Sequence, residues 1–393
     1  RNATRGTTYG VDMITVSKQD FDTSQFAFQG EMSGLKLTTS NRGETAMMFS
    51  LNASSTHSLI HLEHVDDGSP GGSWVTETLA TDAMPFQFQF DVSASGQPKL
   101  VVLDDVSGYT YHTTTSWTSL HQEIRTFNDF GTYPASSIDG NGDLHMVYSH
   151  PTIEKMYYST ETASGWSNSE ILSNANLSSP PSMWFDGADM HILYRDSSLD
   201  RLERVTKSGS TWSTASELGS GEAVGIEHVA LQVPSGPTLV ATTVNNSSVH
   251  ELQILDIDND VSTPLTNLSD GASQLAMCID MSNTVVLLSL DSSGILVVHE
   301  RNATTGAWSN VSMQQLNPST ANDLSCTQHG SSLLFAVQSA TDALYERNST
   351  GHWSTFGGQP LSQAGGAWSL VSNGPGVLLM TSTPAAGTLR INT

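Results

Sequence analysis

Cysteine is nearly missing from this chain. Cys278 and Cys326 are the only two in 393 residues, too few for a disulfide-stapled scaffold and in no metal-ligand spacing. Positive charge is also scarce: 15 basic residues stand against 39 acidic ones, a net charge of −24. A surface of that sign without clustered Lys and Arg repels phosphate backbones and anionic headgroups, which argues against nucleic acid and against membrane insertion as partners. Nor does any apolar run reach the ~18–20 residues a membrane-spanning helix needs. The fold therefore has to rest on a hydrophobic core assembled from short segments.

What is abundant is Ser and Thr. With charged residues at only 14%, solubility rests on hydroxyls, amides and attached sugars, which points to an extracellular chain. The sequence starts at Arg1, not Met, as a chain does once a signal segment has been removed. Asn-x-Ser/Thr triplets occur at Asn2, Asn52, Asn176, Asn245, Asn246, Asn267, Asn302, Asn310 and Asn348. They fall in expected turns and connections and avoid expected inner strands, so N-glycosylation of a secreted protein is expected.

One phrase is written twice, "HERNATTGAWSN" at 299–310 and "YERNSTGHWSTF" at 345–356. Extending outward from it, a Trp after a Gly, Ser or Thr turn recurs at Trp74, Trp117, Trp166, Trp212, Trp308 and Trp353. The period is about 47 residues, with the Trp of one unit, about 225–265, missing. Before each Trp lie three short runs rich in β-branched and aromatic residues. Tight-turn pairs such as Asn141-Gly142, Asp186-Gly187 and Ser282-Asn283 separate the first two. Positive φ at such turns is cheap for Gly and Asn. Four antiparallel strands per 40–50 residues is the pattern of a β-propeller blade.

The chain is accordingly read as all-β, a single propeller domain over 1–393. Seven blades run from about 33 to 362. The tail adds three strands without a fourth, and a strand at about 9–17 supplies it, giving eight blades closed by both termini. The alternative is seven blades with residues 1–33 as an N-terminal arm. The recurring Trp is expected to cover the apolar seam between blades. Cys278 and Cys326, at equivalent positions one repeat apart, are expected as buried free thiols, with a bridge as the alternative. The pairs Glu203-Arg204, Glu300-Arg301 and Glu346-Arg347 are expected to close third strands. Since neighbours on a strand point to opposite faces, one residue of each pair reaches an adjacent blade as an ion pair.

The phrases "ALYERNSTGHWS" and "LVVHERNATTGAWS" resemble the repeats of fungal fucose-specific lectins, propellers that grip a sugar between blades with an Arg, a Glu and an aromatic ring. That resemblance implies carbohydrate binding by Arg195 and Glu203, with Trp166 or Trp212 as the ring. Unit 7 has Gln338, and unit 6 Leu290, where the lectins carry the Arg. A fainter resemblance to sialidases rests on Ser137-Ile138-Asp139-Gly140-Asn141-Gly142, without the Thr-Trp that ends their Asp-box. No trio of Arg residues or Tyr-Glu pair is evident, so no catalytic residue is assigned and no enzyme is expected.

No cofactor is expected. Asp104-Asp105, Asp196 to Asp200 and Asp256 to Asp260 are the carboxylate-rich loops that would suit Ca²⁺, though "DIDND" lacks the Gly and distal Glu of a calcium loop. His145 and His191, in the same slot of units 3 and 4, are read as structural. The functional expectation is a secreted, glycosylated, non-enzymatic module that binds cell-surface glycans. A self-associating subunit of an extracellular fibril, sheath or coat comes second and a glycoside hydrolase third.

Overall fold

A computed structural model describes most of the chain. Outside the described residues lie 1–8, 17–20, 29–30, 40–44, 54–55, 66–72, 83–86, 93–97, 104–131, 151–153, 163–164, 173–174, 176, 178, 197, 219–222, 235, 247–248, 269–271, 292–295, 312–322, 330, 339–342, 356–367, 373–376, 384–387 and 393. Asn2, Asn176, Trp117 and the Asp104-Asp105 loop are among them.

The described residues form strands joined by turns, and the chain divides into two compact units, Arg1–Phe28 with Leu218–Thr393, and Gln29–Glu217. Within each unit, contiguous stretches of chain fold into successive antiparallel sheets of the propeller-blade type. In the Gln29–Glu217 unit, one sheet takes Glu31–Thr39, Thr45–Ala53, Thr56–Val65 and Ser73–Asp82, and Gln87–Val92 pairs with Pro98–Leu103. The next sheet takes Thr132–Ile138, Leu144–His150, Lys155–Thr162 and Gly165–Leu172. The last is built on Ser182–Asp186, Asp189–Asp196, Arg201–Ser208 and Thr211–Trp212.

In the other unit, a sheet over 223–268 takes Ala223–Gln232, Thr238–Asn246, Val249–Asp256 and Val261–Leu268. A sheet over 272–311 takes Ala272–Ile279, Val285–Asp291, Leu296–Arg301 and Trp308–Val311. A sheet over 323–355 takes Asp323–His329, Ser332–Gln338, Ala343–Arg347 and Trp353–Thr355.

The two chain ends share one sheet. Tyr9–Val16 lies beside Thr388–Asn392, with Val11 opposite Leu389 and Ile14 opposite Asn392. This departs from the expectation of four antiparallel strands in two ways. The pairing is parallel, and Phe21–Phe28 folds back on Tyr9–Val16 to give five strands in the order 21–28, 9–16, 388–392, 377–383, 368–372. The hairpin hides one edge of the terminal strand, which would otherwise carry unpaired backbone groups.

The turns follow their residue chemistry. Gly142 has φ +89°, Gly187 +60° and Asn283 +62°, left-handed values that Gly and Asn reach at little cost. The core lies between successive sheets. Val285 and Leu287 of the 272–311 sheet pack with Leu239, Ala241 and Ile254 of the 223–268 sheet. On its other face Val286, Leu288 and Val298 pack with Leu333, Phe335 and Val337 of the 323–355 sheet. Alternation along each strand sends odd and even residues to the two seams.

Cys278 and Cys326 are not free thiols. They form a disulfide with Cα atoms 6.1 Å apart, crossing from the 272–311 sheet to the 323–355 sheet. Equal placement one repeat apart brings the two first strands side by side, and the sequence alone left that distance open.

Candidate functional site

Four Trp residues mark a repeated station, each on its own sheet. On a pair of antiparallel strands, opposite residues share a face. Trp166 lies opposite Glu161, Trp212 opposite Lys207, Trp308 opposite Arg301 and Trp353 opposite Arg347. The indoles pack against seam clusters as expected. Trp166 joins Leu144, Met146 and Val101, and Trp212 meets the Tyr158 ring edge-on at 5.2 Å. Trp353 lies 4.7 Å from Phe335.

Opposite three of these Trp residues, the facing residue reaches back to the preceding sheet. Glu161 accepts a 2.8 Å bond from Lys99 Nζ. The Lys207 ammonium lies 5.4 Å from the centre of the Tyr158 ring. The fullest station belongs to Arg347. Its Nε and Nη2 donate to the two carboxylate oxygens of Glu300 at 2.8 and 3.0 Å, and Nη1 donates to Asp280 at 2.9 Å. Trp353 Nε1 adds a 3.0 Å bond to Glu300. The hydrogen bonds to Glu300 hold the guanidinium pKa above its ordinary value, against the burial that lowers it. This is the ion pair across a seam that the Glu-Arg repeats led us to expect, bidentate and nearly buried.

The Glu203-Arg204 pair does not follow that pattern. It lies in the middle of Arg201–Ser208, and the strand's closing station is Lys207, opposite Trp212. The alternation of "RLERVTK" is shifted by three residues relative to "VVHER", a register that only the strand ends reveal.

The four residues expected to bind carbohydrate are not brought together. Arg195 lies opposite Leu202, and Glu203 opposite Tyr194, so the Arg and Glu side chains leave opposite faces of their sheet. Arg195 pairs with Asp200. Glu203 is buried and accepts from the Tyr194 hydroxyl and from Arg201. Burial first, and then the bond to Glu203, push the Tyr194 phenol up, so it remains a proton donor. Trp166 and Trp212 stand on separate sheets at the Trp stations.

What this sheet end offers instead is a polar edge that sequence reading missed. Arg201 bridges Glu203 and Glu217, at 3.1 Å from the latter. Asp196 caps the adjoining turn through bonds from Ser198 N at 2.8 Å and Ser198 Oγ at 2.6 Å. Arg201 was the available signal, since it stands two residues before Glu203 and so shares its face of the strand.

The sequon side chains are placed as follows. Asn302 is exposed and Asn348 half-buried, both in turns after third strands, and Asn267 and Asn310 are exposed on fourth strands. The strand position of Asn267 corrects its expected place in a connection. Asn52 and Asn246 lie at or near the ends of second strands, and Asn245 is exposed. At Asn348, Oδ1 accepts from Thr350 Oγ1 at 2.7 Å.

Among the described residues no three His, Cys, Asp or Glu side chains gather as a metal-binding group. In the Asp256 to Asp260 loop, Asn259 Nδ2 takes both oxygens of Asp256 and Asp258 accepts from Thr238 N. His145 bonds the Tyr158 hydroxyl at 2.6 Å, and His191 stacks on Trp184. Both are ring contacts of the fold.

No protein-family model matches the chain, and no curated protein matches its sequence. Solved structures do resemble it. Sqt1 of Saccharomyces cerevisiae is 10% identical at a TM-score of 0.52, covering 91% of this chain and 94% of its own. A puromycin-hydrolyzing peptidase of Mycobacterium tuberculosis is 9% identical at 0.51 over 88% of this chain, which spans 58% of the peptidase. The Aleuria aurantia lectin AAL, solved with Fucalpha1-6GlcNAc, is 10% identical at 0.43 over 86% of this chain and all of the lectin. At these identities the likeness concerns fold alone, an all-β architecture of repeated antiparallel sheets.

Proposed function

We propose that this chain is a secreted, N-glycosylated, non-catalytic β-propeller of eight blades that binds glycans at a cell surface. The observation that carries the extracellular part is the Cys278–Cys326 disulfide, since bridges of this kind persist in oxidising compartments and are rare in the cytosol. Exposed Asn267, Asn302 and Asn310 support glycosylation, because an oligosaccharide needs an open side chain. The sheet shared by the two termini supports closure of the ring.

For the ligand, the support is the polar edge where Arg201 joins Glu203 and Glu217 beside Asp196. Guanidinium forks and carboxylates at fixed spacing suit a polyhydroxylated ligand, which needs donors and acceptors together. The resemblance of the repeats to fungal fucose-specific lectins points the same way.

The test is a glycan array read with purified protein, alongside the Arg195→Ala and Arg201→Ala variants. Saturable binding that Arg201→Ala weakens and Arg195→Ala, on the other face of the sheet, leaves unchanged is expected. Binding that Arg201→Ala does not change removes this edge as the site, and an empty array with polymers in sedimentation favours the fibril or coat reading. Release of mass by an N-glycosidase checks the sequons.

A further inference from the structure

The station opposite Trp308 is built like that of Arg347 and lacks its acceptors. Arg301 pairs across to Val285 and Trp308, as Arg347 pairs to Leu333 and Trp353. The two guanidinium groups occupy the same place under their turns. Arg347 Nη2 lies 3.4 Å, and Arg301 Nη2 3.2 Å, from where a Cβ on the turn glycine would stand, Gly351 with φ +80° and Gly306 with φ +70°. Both face the preceding sheet, because Val285 and Trp308 belong to the cluster shared with Val233, Leu239 and Ile254.

The preceding sheets differ. Asp280 and Val233 close the same turn, with Asp280 N bonded to Thr284 O and Val233 N bonded to Pro237 O. The place that Asp280 takes before Arg347 is thus held by an apolar residue, Val233, in the sheet before Arg301. Glu300 and Asp256 also correspond, opposite Val286 and Leu239, which face the respective following sheets. Asp256 is one methylene shorter, and Asn259 holds both of its oxygens at 3.1 and 3.0 Å. Among the described residues no carboxylate pairs with Arg301 or accepts from the Trp308 indole. Arg347 thus carries two carboxylates, whereas at the equivalent places before Arg301 there is one, Asp256, and Asn259 holds it.

We propose that Arg301 and Trp308 form a binding site for the carboxylate of a ligand, in the geometry by which Arg347 and Trp353 hold Glu300. A planar oxyanion entering beside Arg301 receives the parallel donors of the guanidinium and the indole N–H. It also brings the negative charge at this seam up to that of its neighbour. If the glycan reading holds, the ligand is an acidic sugar, a uronate; this last step alone rests on that reading.

The test titrates glucuronate, acetate and glucose into the full chain at low ionic strength by calorimetry, with Arg301→Ala and Asp256→Glu as variants. Lengthening Asp256 supplies an internal acceptor like Glu300, so it blocks the site without removing the Arg. Glucuronate is expected to bind saturably and glucose not to. Each variant should weaken glucuronate about tenfold or more, the worth of losing a charge-assisted bidentate contact. Absence of carboxylate binding, or binding unchanged in both variants, overturns the site. Acetate binding as tightly as glucuronate upholds the carboxylate site and removes the sugar from it.

Discussion

Replacing Arg347 by Ala tests whether the seam between the 272–311 and 323–355 sheets is held by charge. The guanidinium makes three charge-assisted bonds to Glu300 and Asp280. Its side chain is 7% exposed, that of Asp280 4% and that of Glu300 19%. All lie well inside the range where solvent screening is weak. Truncation leaves two carboxylates close together, desolvated and without a counter-charge, which costs about 3–5 kcal/mol. Replacing Arg347, Asp280 and Glu300 together by apolar residues of similar volume removes the charge and its desolvation at once. That triple variant should cost less than Arg347→Ala alone, its remaining loss being the Trp353 N–H left without Glu300.

The signature is therefore a single substitution more damaging than the triple one that contains it. Urea unfolding followed by tryptophan fluorescence reads the stability. Hydrogen exchange of Val285–Asp291, Leu296–Arg301, Ser332–Gln338 and Ala343–Arg347 reads the seam locally. An Arg347→Ala variant that loses less than about 0.5 kcal/mol, the range of ordinary surface substitutions, with exchange unchanged in these strands, refutes the reasoning.

Reducing the Cys278–Cys326 bridge, which closes a loop of 48 residues, should cost about 4 kcal/mol by chain entropy. A urea midpoint that is the same with and without reductant contradicts it. Trp353→Phe keeps an aromatic ring and loses the bond to Glu300, about 1.5–3 kcal/mol; Trp308→Phe, with no carboxylate acceptor among the described residues, should cost clearly less. Equal losses would contradict the difference between the two stations.

Burial lowers the His61 pKa to about 4 and the His228 pKa to about 4. A folded pKa below the ordinary value of about 6.5 means that protons favour the unfolded chain. Stability is then whole above about pH 7 and is lost as pH falls from about 6.5 toward 4, by about 3 kcal/mol for nearly inaccessible His61. Urea midpoints measured across that window should fall, and fall less in His61→Gln; a flat profile in the wild type rules this out.

Local pattern was legible without coordinates. Short β-branched runs, Gly and Asn at positive-φ turns and a Trp every 47 residues or so name antiparallel sheets, because alternation and turn chemistry act between residues near in sequence. The packing role of Trp212 and Trp353 and the reach of Arg347 across a seam followed from the same alternation.

Register and neighbour distance were not legible, because they depend on where each strand ends and what lies on the next sheet. A three-residue shift moved Glu203-Arg204 off the closing station and parted Arg195 from Glu203. Equivalence of Cys278 and Cys326 could be read from the repeat, but only the approach of two first strands to 6.1 Å made it a bond. Likewise Arg301 and Arg347 are the same letter in the same phrase. Asp280 beside one, and Val233 at the equivalent turn position before the other, give them different environments, since a side chain's partner across a seam lies a full repeat away in the chain.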